Sequence, residues 1–313
     1  MSKTSIAQPA KKAKKTQELN AVSPVANVIM HIAFILICMT VLVPLWVIVV
    51  ASLTPEMELI EEGYKFYAKS LTPEAYGFLF REGSIIFTAY KNTIIATLVG
   101  MALSVVSISL YAYPLSRKEF RFRRFFTFVS FFTMLFNAGV VPFYFVSRQI
   151  LKIDNSLFAL FLPLSFSAYW VIVMRTFYTS NVPDGVIESA RIDGASEWRT
   201  FIQIVLPLAK PGLATVALFS AIGIWNNFFN CMLLVDTAEH YNLQYMIYST
   251  LSNARFLSEM ATQVSSLGET IARLPTNAFR MAMAGVTMGP IILAYPFFQK
   301  YFVSGITLGA IKG

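Results

Sequence analysis

Charge is scarce in this chain of 313 residues. Only 13% of its residues are Asp, Glu, Lys or Arg, against about 25% in an ordinary soluble domain. The hydrophobic share is 56% and the mean hydropathy is +0.59, which together indicate a polytopic membrane protein. Histidine is almost absent. His31 and His240 are far apart and belong to no His-Glu-x-x-His pattern, so a zinc-hydrolase site is excluded, and His31 reads as a structural or interfacial residue near the start of an apolar run. The two cysteines, Cys38 and Cys231, lie in apolar segments, read as small core residues and offer neither a disulfide framework nor metal-ligand spacing. There is no Gly-x4-Gly-Lys-Ser/Thr phosphate loop and no serine nucleophile elbow, so neither P-loop ATP binding nor that form of acyl chemistry belongs to this chain. No Asp or Glu falls within the apolar segments, and a proton-driven pump needs such groups at membrane depth. No catalytic residue, metal ligand or cofactor is assigned to the chain.

The charges that are present are sorted by position. The formal net charge is +8, which by itself would fit a nucleic-acid partner. However, Lys3, Lys11, Lys12, Lys14 and Lys15 crowd the N-terminus, and Arg117, Lys118, Arg121, Arg123 and Arg124 crowd one short loop. That is the footprint of positive loops kept on the cytoplasmic side of a membrane, and nucleic-acid binding is set aside. Residues 1–24 read as a disordered basic cytoplasmic tail. Six apolar spans follow, over about 25–53, 90–114, 125–148, 156–178, 211–235 and 278–303, each near the ~20 residues needed to cross a bilayer. The third is expected to be kinked or broken at Asn137, Gly139 and Pro142. External loops are expected over 54–88 and 236–277, both net acidic, the first with a short helix capped by Thr72 and the second offering Tyr241, Tyr245 and Tyr248 as interface-type aromatics. Residues 304–313 form a short C-terminal tail. Both termini are then cytoplasmic, and the fold class is all-α with six transmembrane helices.

One stretch between the fourth and fifth spans is amphipathic and charged. Residues 183–207 read as two short helices around a hinge. Pro183 suits a first helical position, and Asp184 complements the helix dipole. Val186, Ile187 and Ala190 are placed to share a face. Gly194 is expected to end the first helix and Ser196 to cap the second. Trp198, Phe201, Ile202 and Val205 fall at i, i+3, i+4 and i+7, an apolar stripe that Pro207 and Pro211 terminate. The product is a hairpin with an apolar rim fitted to dock on another protein.

The same stretch carries a family resemblance. Residues 188–207 run Glu-Ser-Ala, three residues, Gly, nine residues, Ile-x-Leu-Pro. This resembles the "EAA" loop of binding-protein-dependent ABC importer permeases, with Glu188, Ala190, Gly194, Ile204, Leu206 and Pro207 on the pattern and Ser189 in place of the first alanine. Ala190-Arg-Ile-Asp-Gly-Ala-Ser, Leu206-Pro-Leu-Ala-Lys-Pro-Gly-Leu-Ala-Thr and Trp225-Asn-Asn-Phe-Phe are similar to the carbohydrate-uptake branch, the MalG-like and LplC-like inner-membrane subunits. The resemblance spans about residues 25–313. It implies the type I ABC importer permease fold in a bacterial plasma membrane. It further implies that Glu188, Ala190, Asp193, Gly194, Ile204, Leu206 and Pro207 couple the chain to an ATPase. Implied partners are an ABC ATPase dimer that binds ATP and Mg, a companion permease, an extracytoplasmic solute-binding protein and a saccharide, with the lipid bilayer around the spans.

Trp225, Asn226, Asn227 and Asn230, with Tyr169 in the fourth span, are the candidate substrate pathway. Amides and an aromatic suit sugar hydroxyls and C–H faces, and buried amides equally tie helices together. Asn226 and Asn227, being adjacent, cannot face the same way on one helix. Gly285 and Gly289 form a Gly-x3-Gly pair that reads as close helix packing. Two other readings stand beside the saccharide importer: an importer for a non-sugar solute, and a non-transporting membrane scaffold or sensor.

Overall fold

The computed structural model of the chain describes residues 23–81, 83–263 and 276–310. Every regular element among these residues is helical. The chain divides into two compact units, residues up to Val47 and residues from Ile48 onward. The basic tail expected over 1–24 falls almost wholly outside the described residues.

The first unit is the greater part of α1 (Pro24–Ser52), which is apolar on every side. Val25, Phe34, Ile37 and Trp46 are all exposed. A helix without a polar face is matched to lipid rather than to water. Cys38 is exposed here, not a core residue as expected, whereas Cys231 in the second unit is buried.

In the second unit, much of the stretch expected as the loop over 54–88 is helical. It forms α2 (Glu56–Glu62) and α3 (Glu74–Arg81), and α4 (Gly83–Ser116) begins seven residues before the expected start of the second span. Gly63, at φ 72°, closes α2 where only glycine is unstrained. The Thr72 hydroxyl accepts the Glu74 N–H at 3.3 Å, as expected of a cap. Glu56 reaches across 221 residues to accept from the backbone N–H groups of Asn277 and Ala278, each at 2.9 Å. These are the otherwise unpaired first donors of α15 (Thr276–Ala310).

α4 is the central element, and α8 (Ala168–Asn181) and α12 (Lys210–Trp225) pack along it. Its Gly100 makes the approach possible. A Cβ there would stand 2.6 Å from Ile224 Cδ1 and 2.7 Å from Phe161 Cβ. Gly212 does the same for Phe177 at 2.8 Å. The Gly285–Gly289 pair does not. Among the described residues, a Cβ at Gly285 would meet only Tyr76 Oη at 3.7 Å, and one at Gly289 would meet nothing within 4 Å. The close contact expected of that pair is made instead by two isolated glycines.

The remaining apolar segments are broken. The expected third span divides into α5 (Arg123–Leu135) and α6 (Val140–Phe145), the latter continued by a π turn to Ile150. The two halves lie at 114°. Gly139, at φ 85°, makes the corner, and Asn137 Oδ1 accepts its N–H at 2.8 Å. α7 (Leu157–Phe161) and α8 meet at 49°. The expected fifth span, 211–235, is not continuous. α12 stops at Trp225, and α13 (Phe229–Leu234) begins after three non-helical residues. The stretch expected as a loop over 236–277 contains α14 (Leu243–Gln263). The expected C-terminal tail, 304–313, continues α15 as far as Ala310. By length and composition two described helices can each cross a membrane, and up to five crossings result when each bent pair is counted as one.

Candidate functional site

The hairpin between α8 and α12 is built by local chemistry. α8 ends at Asn181, and Pro183, with ψ 136°, stands as N-cap of α9 (Asp184–Ile192). It is therefore one position before the first helical residue where it was expected. α9 ends in a Schellman motif. Gly194 at φ 75° donates to Arg191 O at 3.1 Å, and Ala195 N donates to Ala190 O at 2.9 Å. Ser196 then caps α10 (Glu197–Thr200), its Oγ accepting from Arg199 N at 3.2 Å. A π turn, Phe201–Val205, comes next, and then α11 (Leu206–Leu208). The chain turns by 78° through Ala209 into α12.

The apolar faces of the hairpin divide in two. Ile187, Phe201 and Val205 are buried with Tyr113, Tyr178 and Val216 in one cluster under the hairpin. Val186, Ile192, Trp198 and Ile202 stay exposed, Ile192 at 86% and Trp198 at 61%. The stripe from Trp198 to Val205 is thus divided rather than buried on one partner as a unit: Phe201 and Val205, four apart, pack inward on Tyr113 and Val216, and Trp198 and Ile202, four apart, face outward. Val186 likewise parts from Ile187 and Ala190, which are buried. The anchored residues hold the hairpin to the body, and the exposed ones form its free edge.

Charged groups fasten the same joint. Glu197 Oε1 accepts from Arg191 at 2.8 Å, and its Oε2 accepts from the Tyr113 hydroxyl of α4 at 2.9 Å. The Arg191 hydrogen bond, aided by that of Tyr113, holds the Glu197 carboxyl below its ordinary range although partial burial opposes this. Asp184 pairs with Lys118 at 2.9 Å and lies 3.9 Å from Arg117. Lys118 lowers its pKa in the same way. The basic loop and the hairpin are therefore one electrostatic unit, a link with no local sequence signal.

Of the residues singled out in the hairpin, Ala190, Asp193 and Ile204 line one concavity of about 330 Å³ between the two limbs, with Arg199 and Gln203. Arg199 Nε donates to Gln203 Oε1 at 2.9 Å, and neither was expected from sequence. Glu188 is exposed on α9 outside this concavity and pairs with no cation among the described residues. Gly194 is the corner, Leu206 packs on the buried cluster, and exposed Pro207 lies in the first turn of α11.

A second set of residues gathers at the break between α12 and α13. Asn226 and Asn227 are outside regular helix, so the constraint of adjacent helical positions does not apply. Asn226 Nδ2 donates to Ile222 O at 3.0 Å, closing α12. Asn227 Oδ1 accepts from Asn230 N at 3.0 Å, opening α13, and Asn242 holds Asn227 O from the start of α14. Two donors remain. Trp225 Nε1 and Asn230 Nδ2 are buried without a hydrogen-bond partner among the described residues. Tyr169 is elsewhere, half exposed on α8 and edge-on to Trp170. No hydrogen bond joins it to the amides among the described residues. Tyr241 meets Tyr245 edge to face, Tyr245 stacks with Tyr248, and Tyr241 and Tyr245 pack on a buried cluster. Only Tyr248 has the exposure expected of an interface aromatic. Asn92 on α4 donates to Glu239 O at 2.8 Å and to Tyr241 O at 3.0 Å, fixing the approach to α14. Among the described residues no group of three or more His, Cys, Asp or Glu is arranged to hold a metal ion.

Comparison with known proteins agrees with this architecture. The sequence profile of the family described as binding-protein-dependent transport system inner membrane component matches residues 106–308. Protein LplC of Bacillus subtilis (strain 168) is 32% identical over 273 residues, covering 87% of this chain and 90% of the relative. The polygalacturonan/rhamnogalacturonan transport system permease protein YtcP of the same organism is 31% identical, covering 90% and 94%. Among solved structures, a chain of a bacterial ABC transporter involved in the import of the acidic polysaccharide alginate superposes with a TM-score of 0.72. It shares 27% identity and covers 89% of this chain and 96% of that one.

Proposed function

The chain belongs to the family of inner-membrane components of binding-protein-dependent transport systems, and from that membership we propose that it is a permease subunit of a bacterial ABC importer for a saccharide, an oligosaccharide in the first instance. One relative is named as a polygalacturonan/rhamnogalacturonan transport permease and the solved neighbour belongs to a transporter that imports alginate, which supports the cargo class. In this reading six spans cross the plasma membrane, formed by α1, α4, α5–α6, α7–α8, α12–α13 and α15, with both termini cytoplasmic. A companion permease completes the pathway, and an extracytoplasmic solute-binding protein delivers the saccharide. ATP and Mg are bound by a partner ATPase dimer. This chain contributes no catalytic group and needs no cofactor of its own.

The observation that carries the coupling role is the division of the hairpin's apolar residues. Ile187, Phe201 and Val205 root it in the core shared by α4, α8 and α12, while Val186, Ile192, Trp198 and Ile202 are left for a partner. A docked ATPase that moves this edge moves α12 with it, because only Ala209 separates α11 from α12. Energy passes only if the docked contacts differ between the two states. Glu188, Ala190, Asp193 and Ile204 belong to the docking surface, and Gly194, Leu206 and Pro207 hold its shape. Along the pathway, the unpartnered donors of Trp225 and Asn230 are suited to sugar hydroxyls, Asn226 and Asn227 position them, and the exposed ring of Tyr169 offers a stacking face.

Gly194→Pro removes the left-handed corner that proline cannot adopt, and Glu188→Lys reverses the charge of the docking surface. Both variants are expected to remain in the membrane while losing binding-protein-stimulated uptake in proteoliposomes, with ATPase activity uncoupled or the ATPase released. Wild-type uptake in both would sink the coupling role. A complex that hydrolyses ATP in response to its binding protein yet imports no oligosaccharide would sink the cargo.

A further inference from the structure

Beside the hairpin lies a cavity of about 770 Å³ that neither coupling nor transport uses. Lys118, Arg121, Arg123 and Arg124 line it from the basic loop and the first turn of α5, and Arg175 lines it from α8. Among the described residues Lys118 alone of these five pairs with a carboxylate, Asp184. Arg175 spends its Nε–H on Leu115 O at 3.1 Å. α5 begins without a side-chain cap, so its positive dipole end adds to the field. Thr127, one turn into α5, also lines the cavity, and its buried hydroxyl has no hydrogen-bond partner among the described residues. Five cations around one space are a site for an oxyanion, and guanidinium groups match phosphate with paired hydrogen bonds. Keeping positive loops on one side of the membrane accounts for the four loop cations. It accounts for Arg175 as well, which lies near the end of α8, but not for the gathering of all five cations around one cavity.

The cavity is not uniformly polar. Phe128 and Phe131 complete its wall from α5, and both rings are exposed, Phe128 at 65%. A small anion gains nothing from those rings, whereas a molecule with a phosphate at one end and hydrocarbon at the other satisfies both parts of the lining. We propose that this pocket binds the phosphate headgroup of an anionic phospholipid, with its acyl chains against Phe128 and Phe131. Basic pockets between membrane helices take such headgroups by this combination of charge and apolar surface. Because Lys118 and Arg117 also hold Asp184, the bound lipid sits one ion pair away from α9.

The test uses the full chain in its assembled complex, purified in detergent and read by native mass spectrometry. Phosphatidylglycerol, phosphatidylcholine of matched acyl length and inorganic phosphate are the probes. Phosphatidylglycerol is expected to be retained over phosphatidylcholine. Retention should fall about fivefold for each of Arg121→Gln and Arg124→Gln, given ~1 kcal/mol for each basic group near an anionic lipid surface. Both residues are exposed, so the fold is expected to survive their loss. Lys91→Gln combined with Lys152→Gln removes the same charge elsewhere and is expected to leave retention unchanged. Equal retention of the two lipids, undiminished retention in the Arg121→Gln/Arg124→Gln variant, or displacement of the lipid by excess inorganic phosphate would each overturn the proposal, the last in favour of a free anion.

Discussion

At the scale of single residues, the joint between hairpin and body depends on Glu197, which takes hydrogen bonds from Arg191 and Tyr113 through its two oxygens. Tyr113→Phe removes one of them and leaves the ring in place. A hydrogen bond to a charged group is worth about 1.5–3 kcal/mol, but the Glu197 side chain is 60% exposed, and screening reduces this to about 1 kcal/mol or less. The expected result is a hairpin cut more readily by protease, with the rest of the chain unaffected. Its pH dependence follows from the sign of the shifts. Glu197 and Asp184 both have pKa values lowered by their cationic partners. Their contribution is therefore complete above the ordinary carboxylate range of about 4 and is lost as pH falls through the lowered folded-state values. Hairpin protection against protease should be flat from about pH 5 to 8 and decline only in stronger acid. A decline centred near pH 6.5 would point to histidine and contradict this assignment.

At the scale of elements, two glycines set how closely helices approach. Gly100→Val inserts atoms where a Cβ would already stand 2.7 Å from Phe161 Cβ, and that neighbour cannot move without its backbone. Overpacking of this kind costs about 1–3 kcal/mol, so the thermal midpoint of the purified complex should fall. Gly285→Ala meets only a hydroxyl at 3.7 Å and should leave that midpoint within error; an equal drop for both would show that the distinction between the sites is wrong. This contrast marks what a sequence can disclose. The hairpin is legible because its signals are local: Gly194 needs its positive φ, Ser196 finds its donor three residues on, and Asn137 with Gly139 breaks α5 from α6 within three positions. The break between α12 and α13 is not. Asn226 and Asn227 bond locally within four residues, but Asn242, at the start of α14, completes the break, and no local pattern gives a sign of that. For the same reason the Gly-x3-Gly spacing in α15 is misleading while the isolated Gly100 is silent. Whether a glycine is crowded depends on Ile224 and Phe161, which are distant in sequence. The π turn at Phe201 is a third case, since the run from Trp198 to Val205 has faultless helical spacing and is still divided by its anchorage on Tyr113 and Val216.

At the scale of the whole molecule, the broken helices bear on topology. α12 ends at Trp225, so the path from the hairpin to α14 crosses the bilayer only if α12 and α13 act together as one span. Apolar length alone does not decide this, because the two pieces are 16 and 6 residues long, and about 20 residues span a bilayer as one helix. Loop backbone at membrane depth is tolerated where protein covers it. The break meets that condition, since Asn226, Asn227 and Asn242 satisfy much of its backbone and Trp225 is buried against α3, α4 and α14. A single crossing would place Ile192 and Glu239 on opposite faces of the membrane. Both are exposed, and both can be replaced by cysteine in a background carrying Cys38→Ala and Cys231→Ala. A membrane-impermeant maleimide added to intact cells is expected to label Glu239→Cys and spare Ile192→Cys, with the pattern reversed in inside-out vesicles. Labelling of both from one side would make α12 and α13 a re-entrant pair, would leave an odd number of crossings elsewhere in the proposed six-span chain, and would remove the hairpin from the side on which the proposed ATPase docks.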